Sequence, residues 1–143
     1  MTVDEKMIEE LQKWGIVSLN DDVITREFTD HIGDGPPSCD FMDGYGLHMI
    51  YLYDRKEQPA EFKKYGGMCW RFDHETEAPL YAIGISKQTI ECGQQSTVEM
   101  FLHECAHVLH GKDHRAHDDR FRDLLKVLVD EYNKAHGTAY NCI

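Results

Sequence analysis

Residues 80–111 read LYAIGIS KQTIECGQQ STVEMFLHECAHVLHG: an apolar run, a polar connector, and a second apolar run closed by glycine. The first run, 80–86, is apolar on both of its alternating faces, which predicts a strand covered on both sides. Ser96 with Glu99 three residues on makes a capping-box pattern, so the spacing predicts a helix over 96–110 that stops at Gly111. That helix is apolar nearly all round and is expected to be buried. A strand followed by a buried helix is the kernel of the fold.

Two further strands are predicted upstream, LHMIYLYD at 47–54 and MCWRF at 68–72, separated by the polar stretch RKEQPAEFKKYGG. They are expected to pair antiparallel as a long hairpin. At the N-terminus Thr2 and Glu5 form another capping box, and Met7, Ile8, Leu11 and Trp14 share one face, which predicts a packing helix over 2–15 ended by Gly15. Residues 20–46 are rich in Asp, Gly and Pro and read as a long loop, with Asp34, Asp40 and Asp43 as turn residues that do not reproduce a calcium-loop pattern. Downstream, Asp118 and Asp119 suit the positive end of a helix dipole. Phe121, Leu124, Leu125, Leu128 and Tyr132 follow at helical spacing, predicting a helix over 118–136 before Gly137. Three strands and then helices indicate an α+β class: one small domain over 1–143, with a three-stranded, mostly antiparallel sheet packed on helices.

Composition restricts the partners. The 143 residues hold 15 Lys+Arg against 26 Asp+Glu, a formal charge of −11, so direct DNA binding is not expected of a chain without a positive footprint. A mean hydropathy of −0.55 and the lack of a long apolar run give no expectation of a membrane partner. The acidic N-terminus has no apolar segment of the secretory kind, and the expected location is the cytoplasm. Five cysteines, an odd number without any Cys-x-x-Cys spacing, read as reduced thiols and not as a disulfide framework. Histidine is the excess: five of nine lie between 103 and 117.

His103, Glu104 and His107 form His-Glu-x-x-His. Residues four apart on a helix share a face, so both imidazoles can reach one ion, and Glu104, about 100° round the axis, can reach a water on that ion without ligating it. Zinc with three protein ligands and an open position is the expected cofactor, one catalytic ion per chain, with Glu104 as general base. Several residues can supply the third ligand. His110 lies roughly 10 Å along the axis from His103, too far for one straight helix, and reads as a supporting or substrate-side group. His114 and His117 lie beyond Gly111, where the chain can turn back, with Asp113 and Asp118 beside them, and Glu131 is available on the last helix. Cys105 points away from the motif face and reads as a buried thiol. Nothing ties Cys39 to the site. Tyr81, Tyr132 and Tyr140 are possible oxyanion donors, and the strand at 80–86 or its neighbour at 68–72 is the possible edge for an extended peptide.

Residues 80 to about 128 resemble the SprT-like metallopeptidases (Spartan- and WLM-type). AIGIS stands as the strand, TVEMFLHECAHVLHG as the motif helix, and AHDDRFRDLL supplies His-x-x-x-aromatic with His117 four residues before Phe121. The resemblance implies a small zincin-like α+β domain, peptidase activity on a polypeptide, and His117 as third zinc ligand, with His114 as the alternative. The acidic charge and the lack of a zinc ribbon after the match speak against the DNA-guided role of the better-known members. The metzincin pattern fails, because His110 and Asp113 stand where that family needs Gly and His. In a gluzincin-type site Glu131 would be the third ligand. HECAHVLHG is also similar to the motif helix of ImmA/IrrE-type regulatory metallopeptidases, although the glutamate and Ala/Phe-rich helix expected next are absent. A zinc-binding domain without catalysis is the remaining alternative, and it would need a fourth protein ligand.

Overall fold

The computed structural model describes residues 2–33, 42, 44–73, 78–111 and 116–141. Its centre is strand β3 (Leu80–Ser86), flanked by β1 (Leu47–Tyr53) and β2 (Gly67–Phe72) in the order β1-β3-β2. β1 runs parallel to β3, with Ile50 opposite Ile83, and β2 runs antiparallel to it, with Trp70 opposite Ala82. The expected β1–β2 hairpin is therefore not formed, and the sheet is mixed rather than mostly antiparallel. Residues 55–66 carry the chain from one edge of the sheet to the other, and β3 later enters between the two strands.

Both faces of this sheet are covered, which is why the strands are apolar on both sides. Tyr51, Tyr53, Met68, Trp70, Phe72 and Ala82 pack with Met7, Leu11 and Ile16 around helix α1 (Val3–Lys13). Leu47, Leu52, Ile83 and Ile85 face the opposite way, toward the other helices. The Thr2 hydroxyl caps α1 by accepting the Glu5 N–H at 3.1 Å, and Gly15 (φ +81) turns the chain away after it.

The second layer holds helix α2 (Asp22–Ile32), where the sequence predicts loop across 20–46. Asp21 caps it, accepting from Val23 and Ile24 N–H, and Ile24, Phe28 and Ile32 are buried at intervals of four. Phe28 meets Phe101 edge-on with ring centroids 6.0 Å apart. The predicted turn residues Asp34, Asp40 and Asp43 lie outside the described residues.

A short helix α3 (Lys87–Glu91) occupies the expected connector, capped by the Ser86 hydroxyl accepting the Thr89 N–H at 3.0 Å. The motif helix α4 (Gln94–His110) then starts two residues before Ser96, after its N-cap Gly93, whose φ of +114 sets the turn between the two helices. Glu99 is not a capping partner; its carboxylate accepts the Asn141 N–H at 2.9 Å. Ten of the α4 side chains are buried, as its all-round apolar character predicts. The last helix, α5 (Asp119–His136), is capped by Asp118 and closed by Gly137 in the left-handed region. The class is α+β: five α-helices among the described residues and a three-stranded sheet packed against them. None of the helices is long and apolar enough to cross a membrane among the described residues.

Candidate metal centre

One turn separates His103 from His107 on α4, and both turn toward the segment that leads into α5. The three Nε2 atoms of His103, His107 and His117 form a nearly equilateral triangle with sides of 3.3, 3.2 and 3.1 Å. Zinc–nitrogen bonds of about 2.0–2.1 Å at tetrahedral angles place their nitrogens about 3.3–3.4 Å apart, so the triangle fits an ion of that kind with one position left open. Three aromatic nitrogens converging on one point have lone pairs that a single cation satisfies together. Among the described residues this is the cluster able to hold a metal ion.

The rings are held from one side by Phe121, which is 2% exposed and packs against all three imidazoles. The His-x-x-x-aromatic spacing thus has a physical meaning: His117 precedes the cap of α5, and Phe121, in its first turn, comes round beneath the ligands.

His110 does not join the triangle. Its Nε2 lies 2.9 and 3.1 Å from the two carboxylate oxygens of Asp118. The Phe121 N–H and this contact with His110 hold the Asp118 carboxyl below the usual carboxylate range. Glu131 is exposed, roughly three turns along α5 from its start, and outside the cluster. His114, Asp113 and Cys39 lie outside the described residues. Cys105 is fully buried in the core, and neither it nor Cys69 or Cys92 is in a disulfide.

The triangle opens into a cleft of about 390 Å³, walled by α4 through Met100, His103, Glu104 and His107 and by residues 64–70 along β2. Glu104 is 4% exposed, and burial pushes its carboxyl up to about 8. β2 passes close over it: a Cβ built on Gly67 would stand 3.2 Å from the Glu104 Cγ and 2.8 Å from the Met100 Cγ. Glycine at this position is what lets the strand and the acid share one cleft. Of the two possible edge strands, 80–86 is central and 68–72 is the edge, with its side away from β3 along the cleft.

Comparison with known proteins returned nothing similar: no family model, no curated protein and no solved structure matches the chain.

The tyrosines considered as oxyanion donors stand elsewhere. The Tyr81 hydroxyl donates to the Gly111 carbonyl at 3.2 Å, beside Arg71 Nη1 at 2.8 Å, and together they satisfy the end of α4. The Tyr132 hydroxyl donates to the Ile32 carbonyl at 2.8 Å, and Tyr140 stacks on the same ring. The tyrosine that lines the cleft is Tyr65, which sequence reasoning passed over inside a polar connector. The Tyr-Gly-Gly step at 65–67, just before an apolar strand, was the available signal. Its backbone is fixed by the Tyr53 hydroxyl, which donates to the Tyr65 carbonyl at 2.6 Å.

Proposed function

We propose that the chain is a zinc-dependent endopeptidase and that it belongs with the SprT-like metallopeptidases that residues 80–128 resemble. The observation that carries this reading is the triangle of His103, His107 and His117 opening into the cleft that Glu104 also lines. A fourth protein ligand, which a purely structural zinc site would use, does not converge with them among the described residues.

A zinc ion held by the three imidazoles would act as a Lewis acid and lower the pKa of water toward neutrality. Glu104 takes the proton from the attacking water and delivers it to the departing amine nitrogen. Burial raises the affinity of that carboxyl for a proton, which suits it to accept one. The backbone of β2 offers its outer edge, unpaired among the described residues, to an extended polypeptide, which aligns a peptide bond with the histidines by main-chain hydrogen bonds that do not depend on sequence.

Two measurements on one preparation test the reading. Zinc content should be one ion per chain in both the native protein and Glu104→Gln, whereas cleavage of an unfolded protein should be seen only in the native one. Chelation should remove activity and added zinc restore it. Cleavage retained in Glu104→Gln would overturn the reading, and stoichiometric zinc without cleavage of any unfolded protein or peptide library would favour a non-catalytic zinc domain.

A further inference from the structure

His110 ends the motif helix as a buried imidazole, 6% exposed, whose Nδ1 has no hydrogen-bond partner among the described residues. All of its polar interaction is spent on Asp118, through the pair of contacts from Nε2. Seven residues separate it from His103, roughly 10 Å along the helix, so it stays outside the metal triangle. Asp118 in turn has two partners, His110 and the Phe121 N–H at 3.0 Å that it caps. One carboxylate therefore joins the end of α4 to the start of α5, and His117 is its immediate neighbour in the chain.

His117 needs such a fixture. It is an exposed side chain, on a segment preceding α5, yet its Nε2 must stand within about 0.2 Å of its place for a sound metal bond. His103 and His107 are positioned by the helix that carries them, and His117 has no helix of its own. We propose that His110 is a positioning residue: acting through Asp118, it sets the backbone at His117 so that the third Nε2 closes the metal triangle. The inference rests on the metal-centre reading above, and it extends the motif from His-Glu-x-x-His to a pattern in which His110 and Asp118 place the ligand between them in sequence.

Zinc affinity, measured by competition with a chromophoric chelator, gives a test independent of catalysis. His110→Leu fills the buried site with an apolar group and leaves the exposed Asp118 to water, so the fold should survive, as thermal melting of the metal-free chain would show. Its zinc affinity should fall about 10- to 100-fold. His110→Gln keeps an N–H donor at about the reach of Nε2 and should recover most of the loss. In a His117→Ala background, where the ligand to be positioned is gone, His110→Leu should cause no further loss beyond about twofold. Native affinity in His110→Leu, an equal loss in the His117→Ala background, no recovery with Gln, or a His110→Leu chain that fails to fold would each overturn the assignment. A native chain that binds no zinc would instead overturn the metal centre itself.

Discussion

The ring of Phe121 lies 4.4 Å from that of His107, tilted by 30°, and 4.9 Å from those of His103 and His117. One apolar side chain on α5 thus supports ligands that come from two separate segments. Phe121→Ala should destabilise the chain by about 3–5 kcal/mol, the usual cost of removing a buried phenylalanine, and should also weaken zinc binding. Phe121→Leu, which refills most of the space, should cost less stability and still loosen the rings. Urea unfolding and zinc competition on the two variants check this, and an unchanged zinc affinity in Phe121→Ala would show that the rings do not depend on that support.

Gly67 separates the β2 edge from Glu104 by the thickness of a missing methyl group. With Met100 Cγ and Sδ both 2.8 Å from a Cβ placed there, Gly67→Ala must displace either the strand or Met100, and Glu104 Cγ at 3.2 Å is next to them. Turnover of an unfolded protein substrate is expected to drop about 100-fold, since a misplacement of about 1 Å is enough for that, while zinc content stays at the native value. Gly93 is a useful comparison, because a Cβ there meets nothing within 4 Å although its φ of +114 strains any other residue. Gly93→Ala should therefore lose stability with activity per folded molecule retained. The opposite pattern in the two variants would contradict the role given to Gly67.

An ion bound only by the folded chain adds to its stability by mass action. At a free zinc concentration about 1,000 times the dissociation constant the gain is about 4 kcal/mol, and it should vanish on chelation. His117→Ala, with two ligands left, should show a much smaller gain at the same zinc concentration. Thermal melts with zinc and with chelator measure both. Equal gains in native protein and His117→Ala would put the stabilising ion somewhere else.

The pairing of His103 with His107 in the cluster was legible in the sequence because it is local. Two histidines four apart with a glutamate between them need only a helix to share a face, and the bounds of β3 and the end of α4 at Gly111 follow from apolar runs and glycine. What escaped was either masked locally or set by distant partners. Ile24, Phe28 and Ile32 behind an Asp21 cap carry the period of α2, but the adjoining Gly- and Pro-rich segment drew the whole of 20–46 into a loop. β1 is apolar on both faces because helices lie on both sides of the sheet, and that pattern is silent about whether a strand is central or at an edge. Pairing order is a long-range property, and so the β1-β3-β2 arrangement was not readable. At Ser96 the capping box is present in sequence, and the helix passes through it because Gly93 had already turned the chain. His117 sits between these cases: spacing left several third ligands open, and its place just before the Asp118 cap of α5, beside His103 and His107, is what selects it in space.

Alkaline pH should unfold this chain through its buried phenols. Burial raises Tyr51 and Tyr53 well above the ordinary tyrosine value of 10.0, although the Trp70 N–H donated to Tyr51 works the other way, and burial pushes Tyr132 up to about 12. The unfolded chain gives up these protons near pH 10 while the folded chain keeps them, so the stability difference is complete below pH 10 and declines as pH rises above it. Each phenol that stays protonated only in the fold contributes a slope of about 1.4 kcal/mol per pH unit in that range. The urea midpoint should be flat from pH 8 to 9 and fall from pH 10 upward, with tyrosinate absorbance appearing together with unfolding. Tyr53→Phe removes one of the titrating groups, and its hydrogen bond to the Tyr65 carbonyl, so it should start less stable at pH 8 and lose stability less steeply above pH 10. A slope equal to that of the native chain would show that Tyr53 ionises in the folded state as readily as in the unfolded one.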